Sequence, residues 1–366
     1  MNKLYNVLGA ASLIMALSFS PLVTQAQINA PNRSQKSTIS QRIGTSDITI
    51  KYSRPSVNGR EIWGKVVPYG MNNLGFGTAV ASPWRAGADE NTTITFSHNA
   101  KIEGKDIKAG TYGLHLEVKE GNKATIILSK DIDSWGSYFY DANHDALRAD
   151  ITTKTVANRE LLTYEFNTIS PASAVVSLVW EKKEFPFTVE FNVTEIVLNE
   201  FREKSKGSLG FSRQNWEQAA NFSLNNGGDL NEALGWIDNA IEGKFYSQKT
   251  VNNLAIKGQI LKKMGKSKEY TALMDEAASL ANMDQLNTMG YQMMNAKDYD
   301  TALKYFKLNV KNNPKNANVH DSLGECYKTM GDKKNAIKSF KKSLSLDPPA
   351  NVKANSEKLL AELEAM

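Results

Sequence analysis

Residues 283–314 read MDQLNTMGYQMMNAKDYDTALKYFKLNVKNNP, and residues 317–348 read ANVHDSLGECYKTMGDKKNAIKSFKKSLSLDP. Laid over one another at a spacing of 34, Gly290, Ala302, Phe306 and Pro314 recur as Gly324, Ala336, Phe340 and Pro348, and Lys297-Asp298 answers Gly331-Asp332. A fixed period of this length marks stacked units, none of which can bury its apolar side alone. Working backwards, Ala233, Ile237 and Ala240 repeat the four-then-three spacing of Ala336, Phe340 and Ser343, and Gly258, Gly265 and Ala277 fall in the places of a more degenerate unit. The array therefore reads as four helical pairs, two clear and two divergent. A polar terminal helix over Glu357–Ala365 would seal the stack.

The period and residue order resemble the tetratricopeptide repeat. That resemblance implies helix-turn-helix units with a long concave face, whose usual use is to grip another polypeptide. In repeats of this kind that bind peptides, the first helix of each pair lines the groove. The matched glycines place Asp284, Asn287, Thr288, Tyr291, Met294 and Asn295 there from one unit. The next unit supplies Asn318, Asp321, Ser322, Glu325, Lys328 and Thr329. A subset of such repeats captures C-terminal carboxylates with lysine and arginine at these positions. The groove here is mixed and slightly acidic, so the expected occupant is an extended protein or peptide segment, or the chain's own N-terminal half.

The N-terminus reads as a secretory signal over residues 1–26. Lys3 gives the positive start, Val7–Phe19 is apolar, and Thr24-Gln25-Ala26 ends in a small residue. The apolar run is shorter than the roughly 20 residues that span a bilayer, so cleavage near Ala26 is expected and no transmembrane segment. The protein is then exported, periplasmic or extracellular. Cleavage leaves 340 residues, enough for two domains with separate cores. With Cys326 as the only cysteine, no internal disulfide can form, and burial must hold both domains together. Net charge is +5, and Lys297–Asp347 carries eleven lysines against six acids. Lysine without arginine or interleaved aromatics describes a solvated face and argues against nucleic-acid binding.

From Thr38 to Phe191 the period changes to two. Thr92–Phe96, Gly113–Val118, Ala124–Ser129, Leu161–Phe166, Val175–Trp180 and Phe185–Phe191 are short runs rich in β-branched and aromatic residues, separated by turn chemistry such as Gly104-Lys105 and Gly121-Asn122. No helical period intervenes, which points to an antiparallel β sandwich or barrel. The fold class is thus a β domain at 27–192, a linker helix and hinge at 193–211, and an all-α tetratricopeptide-type repeat array at 212–366.

Five strings in this half, YSRPSVNGREIWGKVVPYG, WRAGADENTTITF, KAGTYGLHLEV, SWGSYFYD and DALRADI, resemble in order those of the domain of unknown function 2911 family of exported bacterial proteins. The resemblance implies the β fold and export, and carries no assigned activity. Against the family's usual run from Pro-Tyr-Gly to Trp-Arg, Met71–Pro83 is an insertion, and its Gly75 and Gly77 suit an arch over a neighbouring site.

Within the strings, Arg54, Arg60, Trp84, Arg85, Glu90, Trp135 and Asp141 share the chemistry of a polar, aromatic-walled site. Tryptophan offers an apolar wall, and arginine a bidentate fork for a carboxylate or sugar acid. The bland reading makes Arg85 and Glu90 a structural ion pair. No catalytic residue is assigned: Asp89 and Glu90 are neighbours on extended chain and point to opposite faces, and a Gly-x-Ser-x-Gly elbow is absent. No metal or cofactor is called for, because the four histidines are scattered and Asp131-x-Asp133 lacks the glutamate a calcium loop needs at its twelfth position. The expected function is a non-enzymatic binding or scaffold protein, with a protein partner in the repeat groove and a small-molecule or glycan ligand in the β domain. The alternative is a glycan- or peptide-processing hydrolase with its site in the β domain.

Overall fold

The structure is a computed structural model that describes residues 31–365. The signal reading at 1–26 lies outside the described residues.

Among the described residues, ten antiparallel strands form two sheets around one core. In chain order they are β1 (Gln35–Ile43), β2 (Ser46–Arg54), β3 (Thr93–Phe96), β4 (Ala100–Ile102), β5 (Lys105–Ile107), β6 (Gly110–Val118), β7 (Lys123–Ser129), β8 (Asp145–Thr152), β9 (Lys154–Ile169) and β10 (Ser173–Glu190). One sheet runs β1-β2-β3-β6-β7-β8 and the other β5-β4-β10-β9. Alternation places Ile48, Ile50, Ile94, Leu114, Leu116 and Ile126 inward from the first sheet, against Leu162, Tyr164, Val176, Leu178, Phe185 and Phe187 from the second.

The runs expected at Val175–Trp180 and Phe185–Phe191 belong to a single strand, β10. The charged stretch Glu181–Glu184 that separates them in sequence is carried by bulges on either side of Glu181, which adopts φ 53°. Pro186, which cannot donate to a ladder, lies between the part of β10 paired to β9, ending at Glu184, and the part paired to β4, starting at Val189.

Ten helices follow: α1 (Val193–Lys204), then the pairs α2 (Arg213–Asn225) with α3 (Leu230–Ile241), α4 (Val251–Lys263) with α5 (Ser267–Leu280), α6 (Met283–Asn295) with α7 (Tyr299–Asn312), and α8 (Ala317–Thr329) with α9 (Lys333–Leu344), closed by α10 (Ala350–Ala365). The four expected pairs are present. Their matched glycines mark the closest approach within a pair: a Cβ on Gly290 would lie 2.6 Å from the Phe306 ring, and one on Gly324 would lie 2.7 Å from the Phe340 ring. The same place in the degenerate unit, Gly258, meets Tyr270 and Met274. Acidic or amide side chains start most helices, with Asp229, Asp298 and Asp332 each accepting from a backbone N–H of the first turn. Ser212 precedes α2 as expected, yet its side chain makes no capping bond.

Helix α1 serves both cores. Val193 and Ile196 pack on the sandwich, while Leu198 and Phe201 enter the helical core, where Phe201 meets Trp216 and Trp236 edge to face at 5.1 and 5.2 Å. Arg202 adds a forked pair to Glu232, two bonds of 2.7 Å. The stretch after α1 is tied down by Trp216, whose indole N–H donates to the Gly210 carbonyl at 2.8 Å.

Candidate functional site

The sandwich carries a cavity of about 610 Å³ at the loops between β2 and β3, reached also by the segment before β8. That volume is within the range of small-molecule pockets. Its floor is aromatic. Trp84 and Trp180 stack at 5.9 Å with an 18° tilt, and Trp63 meets both edge to face. Trp84 is fixed from behind because its backbone exchanges both hydrogen bonds with Leu116 at 2.8 Å, so the loop is clipped onto β6.

Three arginines line the cavity: Arg33, Arg60 and Arg85. None forms an ion pair among the described residues, and Asp89 is the only acidic residue in the lining. Arg85 is held by geometry rather than by a countercharge. Its Nη1 donates to the Asp89 carbonyl at 2.5 Å, and its guanidinium lies over the Tyr138 ring at 5.1 Å. Gly136, at φ 60°, leaves room beneath it, and a Cβ there would displace the guanidinium. Arg60 donates to the carbonyls of Val57 at 3.0 Å and Ser56 at 2.5 Å, which curls its loop round the opening.

The backbone at this place is strained. Of the seven non-glycine residues with positive φ, Asn58 (49°), Ala86 (48°) and Asp89 (57°) line or flank the cavity. Such conformations persist only where surrounding contacts over-determine them. Here the buried Tyr164 hydroxyl donates to the Ala86 carbonyl at 2.9 Å, and Glu160 accepts from the Asn58 N–H at 2.9 Å.

The insertion borders the same cavity. Asn72, Leu74, Ser82 and Pro83 line it, and the arch is pinned where Ala79 N–H donates to the Tyr138 carbonyl at 3.0 Å and Ser82 Oγ to the Ser137 carbonyl at 2.9 Å. Under the wall, Ser137 Oγ contacts His115 Nδ1 at 3.0 Å. Both residues are buried, burial followed by the charge of Arg85 lowers the imidazole to about 4, and no carboxylate hydrogen-bonds its other nitrogen. The pair lacks the third member of a nucleophile relay and acts as a rigid prop for the wall.

Of the seven residues that the sequence singled out in this half, the structure brings Arg60, Trp84 and Arg85 together on the cavity. The other four lie elsewhere. Arg54 donates to the Leu162 carbonyl and Thr163 and so joins β2 to β9. Glu90 pairs with Lys36 at 2.7 Å, so the ion pair considered between Arg85 and Glu90 is not formed. Asp141 caps a one-turn helix through the Asn143 N–H. Trp135 is outside the lining and is 54% exposed. Asp89, weighed in the sequence only as a possible acid or base, also lines the cavity, and Arg33, Asn58 and Trp180, which the sequence did not single out, join it because only the approach of segments distant in sequence brings them in. Glycine and asparagine around Asn58 and Asp89 hinted at left-handed turns, which is the one signal that pointed here.

In the helical array the expected groove residues divide. On α6, Thr288 is exposed, Tyr291 and Met294 are half-buried, and Asn287 has a buried Oδ1 with no hydrogen-bond partner. On α8, the chain itself covers the face. Asn355 of α10 donates to Asp321 at 2.9 Å and to Glu325 at 2.6 Å, Ser356 donates to Asp321, and Lys328 pairs with Glu362 at 2.5 Å. Ser322 is buried and meets the Tyr291 hydroxyl at 3.1 Å. Helix α10 thus begins earlier than the expected Glu357 and lies one period after α8, where the first helix of a further repeat would stand. Cys326 is buried behind it, and burial pushes the thiol up to about 11.

Residues 34–189 match the family model described as protein of unknown function (DUF2911). Residues 317–349 match the tetratricopeptide repeat. The β domain thus carries the DUF2911 match, and the helices that follow it carry a tetratricopeptide match. Among solved structures, a mutant of MamA is 21% identical over 42% of this chain and 85% of its own, with a TM-score of 0.26. YrrB, titled a tetratricopeptide protein with an unusual peptide-binding site, is 16% identical over 46% of this chain and 89% of its own, with a TM-score of 0.28. The C-terminal part of a repeat-containing protein from Cytophaga hutchinsonii is 18% identical over 42% of this chain and 60% of its own, with a TM-score of 0.31. No curated protein matches the chain. Among the described residues, no helix is long and apolar enough to cross a membrane.

Proposed function

We propose that this chain is an exported, non-enzymatic binding protein in two parts. The helical array holds a polypeptide along its first helices, and the β sandwich holds a small ligand in the cavity between Arg60, Arg85 and the Trp84–Trp180 floor. The observation that carries the reading is a set of arginines with no carboxylate partner over a preformed aromatic floor. Uncompensated guanidinium groups positioned by backbone carbonyls are an unfilled half of a recognition pair. A hydrolase acting through two carboxylates is less well supported, because Asp89 is the only acid in the lining.

For the array, what supports a polypeptide partner is the exposed polar face of α6, where Asp284, Thr288 and Asn295 stand open beside the half-buried Tyr291 and Met294. The face of α8 is already occupied by α10, so the usable groove is the stretch before it.

Native mass spectrometry of the protein drawn from the cell envelope tests the reading. The expected result is a chain lacking residues 1–26 that retains a small ligand, and an Arg85→Met protein that melts as the wild type does but has lost that mass. Retention of the ligand by Arg85→Met, or a precursor of full length in the envelope, overturns it.

A further inference from the structure

The cavity's lining narrows the ligand class. Charge comes first: Arg33, Arg60 and Arg85 face one acid, Asp89, so the site carries an excess of positive charge with no internal partner. An anionic group on the ligand would complete it, as a carboxylate or phosphate matches the guanidinium fork.

Shape comes second. A bare inorganic anion would not use a 610 Å³ space floored by stacked indoles. The ligand therefore has a body beyond its charged group. A fatty-acid chain would need a continuous apolar tube, yet Ser56, Asn58, Asn72, Ser82 and Asp89 interrupt the lining with donors and acceptors. Amides, hydroxyls and one carboxylate set beside flat aromatic faces are the combination that a saccharide ring uses, since its hydroxyls want polar partners at the rim and its C–H face wants an aromatic plane.

The mouth agrees with a ligand longer than one ring. Val66 and Leu74 line the cavity while remaining 41% and 37% exposed, and Phe76 of the insertion, 67% exposed, packs edge-on against the lining Tyr138 at 5.5 Å. Exposed apolar residues gathered at the edge of a charged pocket mark a contact surface rather than chance exposure. The strained turns at Asn58, Ala86 and Asp89 keep the arginines in place before any ligand arrives.

We propose that the cavity binds an acidic saccharide, with its carboxylate or phosphate on Arg60 and Arg85, a ring against the Trp84 floor, and neighbouring rings extending past Phe76. This rests on the reading of the cavity as the ligand site. The array contributes nothing to it.

The test is a printed panel of oligosaccharides that pairs uronic-acid, sialic-acid and phosphate-bearing members with neutral counterparts, probed with the mature chain, followed by calorimetry on the bound members. Sodium phosphate and sodium dodecanoate are titrated alongside. Acidic members should bind at least ten-fold more tightly than their neutral counterparts, and Arg85→Met or Arg60→Met should each weaken them at least ten-fold. Arg60→Met stands as the second variant because Arg60 is exposed and its two hydrogen bonds, to the Val57 and Ser56 carbonyls, stay within its own loop. Equal binding of neutral members, or binding of no saccharide, overturns the proposal. If dodecanoate or phosphate alone binds and Arg85→Met abolishes it, the cavity is still the ligand site and only the saccharide class falls. If no probe binds, or binding ignores both arginines, the ligand-site reading falls as well.

Discussion

The helical array and the β sandwich reach burial by opposite routes. In the array, the contacts that matter repeat at short and regular range: Asn355 meets Asp321 at a separation of 34 residues, and Tyr291 meets Ser322 at 31. In the sandwich, Arg54 reaches Leu162 across 108 residues and Ser82 reaches Ser137 across 55. A stack of repeats is close to one-dimensional, so each unit depends on its neighbours and damage stays local. A sandwich is sealed as a whole, and the loops round its cavity are held by residues from both sheets. The difference teaches where function can vary: the array changes by exchanging groove residues on one helix, whereas the cavity changes only if distant turns move together.

The largest expected effect that could break this contrast is in the array. Phe340 is fully buried between Gly324, Ala336 and the terminal helix. Phe340→Ala should cost about 3–5 kcal/mol, with loss of helical signal from α8 onward in chemical denaturation, while the sandwich transition stays where it was. A shift of both transitions together would show that α1, which sits in both cores, makes the chain one cooperative unit.

The next effect belongs to the sandwich. His115 titrates at about 4 in the folded protein against an ordinary 6.5, chiefly through burial. Between these values the unfolded chain binds the proton and the folded one does not. The contribution is therefore whole above about pH 6.5 and is lost as pH falls towards about 4, amounting to roughly 3 kcal/mol. Melting curves from pH 7.5 to 4 should show the sandwich weakening on the acid side, and His115→Asn should flatten that slope. A wild-type sandwich as stable at pH 4.5 as at pH 7.5 would contradict the buried neutral imidazole.

Smaller still, Ser356→Ala removes a donor to the buried Asp321 carboxylate. A loss of about 1–3 kcal/mol is expected, confined to α10, and hydrogen exchange should report faster opening there with α2–α5 unchanged. Propagation into α2–α5 would mean that the array is less local than its period suggests. The smallest effect is at Lys36, which pairs with Glu90 while its own side chain stays 67% exposed. Lys36→Ala should change stability by less than about 1 kcal/mol; a larger loss in thermal melts would make Glu90 a structural member of the pocket loop.

What could be read in advance follows the same division. The four helical pairs were legible because Gly290, Ala302 and Phe306 and their counterparts carry a local rule: a small residue must stand where the partner helix brings an aromatic ring. Alternation makes half of the strands legible, β3, β6, β7, β9 and β10, and it splits β10 in two, since Glu181–Glu184 breaks the pattern while bulges keep the strand continuous. Helix α10 begins earlier than its apolar pattern suggests because its N-terminal half is mostly polar and exposed, with Val352 its one buried apolar side chain, and is held on α8 by hydrogen bonds from Asn355 and Ser356.

Of the cavity, the sequence by itself supplied Arg60, Trp84 and Arg85 as residue types suited to a ligand, and determined the fold class through periods of 34 and two. Only the tertiary structure decided that these three converge, that Arg33, Asp89 and Trp180 join them, and that Arg54, Glu90, Trp135 and Asp141 do not. The physical reason is range. Periodicity records which face of an element is buried, a property of neighbours along the chain, whereas a pocket is made where loops from two sheets meet, and no local pattern encodes that meeting.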